Sequence, residues 1–505
     1  MDNNVIIGKH TLESLTTGMY NDPKIIYREY IQNSVDSLEV AVNAGIIEPQ
    51  SMRIDIIINN ENSSLRFLDN GIGVKCSQVA TVLTSIGSSK KRSGNNRGFR
   101  GIGRLGGMSY CDYLVFSTSS EGEAVKSIIK FDCKKLKELL LPGKYDDLTM
   151  ASVIDQITTI DYLPEKEDKH YFCVEMKNIS AFSDIMDIDT VRSYISQVAP
   201  VPYHKRHFIY TTELKEYLLK EKYQIEEFPI FVGESEFDLE PVYKPNKSRF
   251  FSDRNKKLHD DIYSLRCFNI TVDGELYALG WYGNCSWLGS LPEKEISGFR
   301  IRKGNILIGD NKTLNGIFKE ARFNGWTQGE IFVQTDKLIP NARRDDFEHN
   351  EAYYKFSEVL SSQIGLEITK IIREASLTRN NPNSKALRKA EELIKAASVV
   401  LNKGFNSSLD KNNLISKLQN TYTEINNHRV DEKLINKKTE ILEKINIITQ
   451  DVINSNNYKI NNINSGIDKK SKQILKIVSD ILSKNLSKVL ADEILDEIVS
   501  ELNRK

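Results

Sequence analysis

The chain has 505 residues, enough for about three domains with a core each, and its 69 basic and 69 acidic residues cancel to zero formal charge. That balance removes a chain-wide electrostatic case for nucleic acid or an anionic membrane, although a local basic patch could still bind either. Six scattered cysteines without a Cys-x-x-Cys pair read as reduced thiols. The N-terminus lacks a signal-peptide pattern and no apolar run is long enough to span a bilayer, so the expected location is the cytoplasm, with no membrane partner.

In chain order, Gly8, Thr11 to Leu15 and Gly18 suggest a strand and a short helix. From Lys24 to about Asn43 the apolar residues Tyr27, Ile31, Val35, Leu38 and Val42 recur at three and four, which predicts an amphipathic helix. Glu29, Asn33 and Asp36 fall within about 40° of one line on the opposite face. Periodicity alone assigns that face to solvent. Arg53 to Ile58 and Ser64 to Leu68 read as strands around a polar turn, and the second runs into Asp69-Asn70-Gly71-Ile72-Gly73. A carboxylate leaving a strand into two glycines lets backbone approach a flat ligand. As an acceptor-only group it can take the exocyclic amino donor of adenine, which guanine lacks on that edge. The same five residues also fit an ordinary turn.

Ser77 to Ile86 reads as a helix ending at Gly87. The segment from Ser88 to Gly107 then carries Lys90, Lys91, Arg92, Arg97, Arg100 and Arg104 with no acidic residue between them. Such a basic, glycine-dense loop, leading into a helix near Leu105, can wrap a polyphosphate and act as a lid; a mobile surface loop is the alternative. Gly101-Ile102-Gly103-Arg104-Leu105-Gly106 has the spacing of a dinucleotide fingerprint, but a polar loop precedes it where a hydrophobic strand is required. No Walker-type phosphate loop is present. Tyr110 to Phe131 predicts a hairpin and Tyr171 to Met176 another strand of the same sheet, with a helical stretch and polar insertion over residues 134–161.

Val198-Ala-Pro-Val-Pro-Tyr203 predicts the exit from a first domain. A second α/β domain follows, with strands at 267–272, 275–282, 298–302, 305–309 and 329–333, a charged loop at 338–346 and a helix over 351–372. Asn380 to Ser384 reads as a linker. Beyond it Leu434, Ile441, Ile445, Ile448 and Val452 keep helical spacing, with Lys438 at the polar position, and fit a coiled-coil dimer or a closed bundle equally.

Glu29-x-x-x-Asn33 on a helix, Asp69-x-Gly71-x-Gly73 and the glycine-rich segment, in that order, resemble the gyrase, heat-shock chaperone, histidine kinase and mismatch-repair ATPase superfamily. Residues 1–375 are most similar to the ninety-kilodalton heat-shock chaperones and their bacterial relatives, through Arg28 to Ser37 and Pro340-Asn341-Ala342-Arg343-Arg344-Asp345. The resemblance, which says little beyond residue 375, implies an α+β fold with a Bergerat-type ATP-binding sandwich of helices on a mixed sheet over 1–200 and an α/β middle domain with an arginine loop over 201–376; the residue pattern adds a linker at 377–384 and a helical, coiled-coil dimerisation region over 385–505.

The resemblance also implies Mg²⁺-dependent ATP hydrolysis. Glu29 would orient and deprotonate water, Asn33 would hold Mg²⁺ and Asp69 would read adenine. Matching Asn341 and Asp345 places on Arg344 the role of an arginine reaching the γ-phosphate, with Arg343 as the alternative. Asp36, Gly71, Gly73, Lys90, Gly101, Gly103, Arg104, Leu105, Gly106 and Gly107 would border the nucleotide and its phosphates. The N-terminal segment would either cross to a partner subunit or add to its own sheet. One departure stands out: relatives carry Gly-Thr entering the last strand of the first sheet, where this chain has Tyr171-Phe172, which leaves one pocket contact unassigned. The expected whole is a homodimeric, chaperone-like clamp acting on a protein client. The alternatives are an ATP-gated defence or DNA-associated clamp and a non-catalytic nucleotide-sensing scaffold.

Overall fold

The computed structural model describes residues 8–16, 22–85, 103–179, 183–252, 258–341, 343–380, 382–427, 434–458 and 469–485, with 494, 495 and 498. The first part of the chain runs α1 (His10–Thr16), α2 (Ile25–Asn43), β1 (Ile54–Asn59), β2 (Ser64–Asp69), α3 (Val79–Thr84), a 3₁₀ segment (Gly103–Ser109), β3 (Tyr113–Ser119), β4 (Val125–Asp132), α4 (Cys133–Leu139), α5 (Met150–Ile157), β5 (Thr158–Pro164), β6 (Tyr171–Lys177), α6 (Ser183–Met186) and α7 (Ile188–Val198). The apolar stripe of α2 lies on the sheet, where the rings of Tyr27 and Tyr30 sit 5.3 and 5.0 Å from that of Phe67 on β2. Its polar face is not solvated as periodicity predicts. Ser34 and Asp36 are buried and Glu29 and Asn33 half-buried, because the 3₁₀ segment and the loop after Asp69 close over them.

Two expected elements differ. The helix after Ser77 stops at Thr84, with Ser85 already extended (φ −71°, ψ 123°). The helix near Leu105 is the 3₁₀ segment; three glycines in seven residues disfavour an α-helix there. The polar insertion holds an unforeseen strand, β5, which forms one edge of the sheet and exposes most of its residues. An edge strand has no second neighbour demanding apolar side chains, so its sequence carries little alternation.

After α7 come α8 (Thr211–Lys220), β7 (Ile230–Gly233) and β8 (Glu240–Pro241). The prolines at 200 and 202 do not end the first sheet: β7 returns to pair in parallel with β1, giving the order β5-β4-β3-β6-β2-β1-β7-β8. The second sheet is reached through the hairpin β9 (Arg249–Phe251) and β10 (Leu258–Asp261). It comprises β11 (Ser264–Val272), β12 (Glu275–Asn284), β13 (Gly298–Lys303), β14 (Ile306–Ile308) and β15 (Gln328–Val333), in the order β11-β12-β15-β13-β14.

The central strand β15 is buried along its whole length because both faces of this sheet are covered. On one side Phe268, Phe299 and Ile331 meet Phe356, Ile364 and Ile368. On the other, Trp281 and Phe332 meet Tyr203, Phe208, Leu214 and Leu218 of the connecting segment and α8. The connection between the sheets is thus interleaved: α8 packs under the second sheet before β7 rejoins the first.

The helix after the charged loop runs as α9 (Glu351–Leu360), a π turn (Ser361–Gly365) and α10 (Leu366–Asn380), and α11 (Pro382–Lys403) starts almost at once. The expected linker is therefore largely helical; a proline is well accommodated in the first helical turn, where its missing N–H would have no partner. α12 (Ser408–Asn427), α13 (Ile435–Asn454) and α14 (Lys469–Asn485) follow. Ile441, Ile445 and Val452 of α13 pack on Leu387, Leu414, Leu418 and Ile425, so the chain's own helices fill that stripe as a bundle. On α14, Ile474, Ile477 and Ile481 stay more than half exposed.

Candidate active site

Asp69 ends β2 and is 1 % exposed. Its Oδ1 accepts from the Gly71 N–H at 3.0 Å and the Ser37 hydroxyl at 3.2 Å, and the Ser34 hydroxyl also serves the carboxylate. Burial pushes its pKa up to about 7, against the opposing effect of these donors. The loop after it is sewn to α2, since the Ile72 N–H donates to the Ser37 carbonyl at 3.3 Å. Gly73 has φ +66°, and a Cβ there would run into the Ser119 carbonyl, so only glycine fits. Asn70 clamps the start of β1, its Oδ1 accepting from the Arg53 N–H at 2.8 Å and its Nδ2 donating to the Ser51 carbonyl at 2.7 Å.

Phe172 stands directly opposite Asp69 in the β2–β6 register, at the position where the resembling chaperones carry threonine, and packs on Phe116 with centroids 5.7 Å apart. Thr118, one strand further, supplies a buried hydroxyl: it accepts from Val74 N–H at 2.9 Å and donates to the Tyr171 carbonyl at 2.8 Å. His170 adds a contact at 2.9 Å to the Gly71 carbonyl. The sequence reading singled out Phe172 as a departure and missed Thr118 and His170.

At the other end of α2 the 3₁₀ segment lies against Glu29. A Cβ on Gly103 would overlap the Glu29 carboxylate, so this close approach requires glycine. Tyr30 fixes the segment, its hydroxyl donating to the Arg104 carbonyl and accepting from the Gly107 N–H, both at 3.1 Å. Gly106 and Gly107 are buried here, whereas the Leu105 side chain belongs to the core, leaving only its backbone to face a ligand. The Arg104 guanidinium donates to the Ser85 carbonyl at the end of α3. Lys90 and Gly101, with most of the basic loop, lie outside the described residues. The Asn33 amide makes no hydrogen bond among the described residues, and Asp36 is buried further along the same helix.

The charged loop of the second domain reaches this end. Arg344 Nε lies 4.0 Å from Glu29 Oε1, and its Nη1 donates to Gln32 Oε1. The Arg344 carbonyl accepts from Arg28 Nη1 at 3.1 Å and from the Gly309 N–H at 2.8 Å. Asn341 and Asp345 shape the turn: the Arg344 N–H donates to the Asn341 carbonyl, and Asn341 Nδ2 to Asp345 Oδ1 at 2.5 Å. Arg344 itself has φ +56°. Arg343 is exposed, lies 3.6 Å from Asp345 and does not reach Glu29. Arg28 and Gln32, four apart on α2, were inside the quoted stretch but had no assigned role; only the docked loop reveals one.

A buried acceptor beside a glycine loop at one end, and a carboxylate facing a guanidinium next to an unpaired amide at the other, suit an elongated ligand with an amino-bearing ring and an anionic tail. Among the described residues no three His, Cys, Asp or Glu side chains cluster. A divalent cation here would therefore depend on Asn33 and on oxygens carried by the ligand. Residues 23–158 match the family model described as histidine kinase-, DNA gyrase B-, and HSP90-like ATPase. No curated protein matches the chain.

Proposed function

We propose, from the match of residues 23–158 to the histidine kinase-, DNA gyrase B-, and HSP90-like ATPase model, that the protein binds ATP with Mg²⁺ and hydrolyses it to ADP and phosphate. The observation that carries this reading is the approach of Arg344, from the second domain, to 4.0 Å from Glu29. Asp69 accepts the adenine amino group, and the loop Gly71 to Gly73 admits the ring. Glu29 orients a water and takes its proton as the new oxygen–phosphorus bond forms. The bond from the γ-phosphorus to the bridging oxygen breaks, and its electron pair leaves with ADP. Arg344 stabilises the charge that develops on the transferred phosphoryl oxygens. Asn33 would hold Mg²⁺, which when bound would supply neutralisation of the phosphate charge.

Since Arg344 acts only when the two domains are closed, nucleotide would couple to their closure. We read the whole as a homodimeric, chaperone-like clamp with a protein client. The exposed isoleucines of α14 support association of the helical region, and the zero net charge favours a protein client over a nucleic acid. The test is Glu29→Ala, which should keep ATP binding and lower turnover by roughly 10²-fold or more. A wild-type protein that binds ATP without releasing phosphate would instead be a nucleotide-sensing scaffold. Turnover stimulated by duplex DNA at physiological salt would favour a DNA-associated clamp.

A further inference from the structure

Gln32 follows Glu29 by three residues on α2, which puts the two side chains on one side of the helix, and it is 1 % exposed. Its Oε1 accepts from Arg344 Nη1, and the same guanidinium lies 4.0 Å from Glu29 through Nε. Because a guanidinium only donates, this bond settles which end of the amide is oxygen and makes Nε2 the other end. That NH₂ group has no hydrogen-bond partner among the described residues. The carboxylate of Glu29, one turn back, borders Arg344 and Gly103 and does not receive it. A buried donor without a partner is costly, so its presence calls for an explanation.

Seating the arginine does not require that donor. A glutamate at this position would accept from the guanidinium more strongly and bring no unpaired N–H, but it would set a negative charge beside any anionic ligand. An amide is the side chain that accepts from an arginine with one end and donates to an oxyanion with the other. Nε2 shares its carbon and plane with Oε1, so it sits immediately beside the guanidinium and adds a second donor at the same place. We propose that Gln32 is a further catalytic residue, its Nε2 donating to an oxygen of the transferred phosphoryl group while its Oε1 holds Arg344. A triphosphate supplies the missing acceptor and a diphosphate does not, so this one amide makes the site prefer ATP to ADP and ties the seat of the arginine to the third phosphate. The proposal rests on the ATPase reading above.

Two comparisons on the full chain test it. Both read, by calorimetry, the ratio of the affinities for the Mg²⁺ complexes of an imido-bridged, non-hydrolysable ATP analogue and of ADP. The first is a double-mutant cycle. If Gln32 served only to seat the arginine, Gln32→Leu would change nothing once Arg344→Gly has removed the guanidinium. In the proposed role Gln32→Leu should still lower the preference for the triphosphate about tenfold in the Arg344→Gly background, with retained ADP affinity as the sign of an intact fold. No further loss overturns the proposal. The second is Gln32→Glu, which keeps an acceptor for Arg344 and removes the donor. Seating alone predicts a ratio and a turnover at or above wild type, whereas the proposal expects the ratio to fall by about tenfold or more and turnover to fall with it. A wild-type ratio in Gln32→Glu overturns it as well. Wild-type protein that binds both nucleotides and releases no phosphate defeats hydrolysis alone, because the affinity ratio still decides the role of Gln32. Wild-type protein that binds neither defeats both.

Discussion

Arg344 Nε and Glu29 Oε1 lie 4.0 Å apart, one from the loop after the second sheet and the other from the helix lying on the first. Both side chains are largely buried, at 12 and 14 % exposure, and nothing local in the sequence brings them together. The contact depends on the interleaved connection between the sheets and on the bonds from Arg28 and Gln32 that seat the loop.

Arg344→Gly separates the guanidinium from the backbone that carries it. At φ +56° a glycine is unstrained, so the relief of about 1 kcal/mol offsets part of the lost Gln32 bond and the melting temperature should change little. Turnover should fall by roughly 10³-fold, the usual effect of removing a positioned arginine from phosphoryl transfer, with ATP affinity nearly kept. Activity within threefold of wild type, measured as phosphate released per enzyme, moves the role to Arg343 or removes it.

Asp69 predicts a proton released on nucleotide binding. Burial raises its carboxyl from 3.8 to about 7, so the folded protein holds a proton there that the unfolded chain has already lost. This group's contribution to stability therefore declines as pH rises from about 4 to about 7 and is constant above. An adenine amino donor favours the ionised carboxylate, so binding should expel the proton and affinity should rise as pH goes from 6 to 7.5. Calorimetry of Mg·ADP binding near pH 6.5, in two buffers of different ionisation heat, measures it. Buffer-independent heats would place adenine elsewhere.

The parts of this site legible in the sequence are those written in local pattern. The stripe of Tyr27, Ile31, Val35 and Leu38 predicts α2, and Asp69 with its two glycines predicts a close approach. What closes over the polar face of α2 was not legible, because Ser34, Ser37 and Tyr30 acquire roles only from the residues folded against them. Arg104 is a similar case: a cation in a glycine-rich loop reads as a phosphate contact, and its bond to the Ser85 carbonyl is invisible without the fold. The prolines at 200 and 202 correctly mark a break in regular structure, but a break does not say where the chain goes next, and β7 goes back. Asn-Pro-Asn-Ser reads as a linker because each residue disfavours a helix interior, although Pro382 is at home in a first turn.

Gly103→Ala tests whether the 3₁₀ segment sets the position of Glu29. The added methyl would overlap the carboxylate, so either the side chain or the segment must shift by a fraction of an ångström. A displacement of that order at a catalytic base is expected to lower turnover by about 10²-fold. Stability should fall by no more than about 1 to 3 kcal/mol, since the strain can relax into a half-buried side chain. Wild-type turnover in a folded Gly103→Ala protein would show that Glu29 needs no such support.

The joint between the domains holds two cations against one carboxylate, all three fully buried. Glu330 accepts from Arg302 Nε at 2.5 Å, from Lys244 Nζ at 3.2 Å and from the Tyr203 hydroxyl. Arg302 also donates to the Gln197 carbonyl at 2.9 Å near the end of α7, so the cluster spans both domains. Burial alone would raise the Glu330 carboxyl, but Arg302 and Lys244 overcome it and hold the group at about 2. Burial, and then Arg302 beside it, push Lys244 down to about 7.

Glu330→Gln leaves both cations without a counter-charge and should cost about 3 to 5 kcal/mol. Lys244→Met removes the surplus cation, keeps the Arg302–Glu330 pair and should change stability by only about 1 kcal/mol. The pH dependence separates the two cations further. Between about 7 and 10.5 the unfolded Lys244 binds a proton that the folded one has lost, so its contribution to stability rises with pH there and should vanish in Lys244→Met. Denaturant unfolding at pH 7 and pH 9 reads both effects. Equal losses in the two variants at pH 7, with the same pH slope as wild type, would mean that Lys244 is a full partner of the pair and that the joint carries no surplus charge.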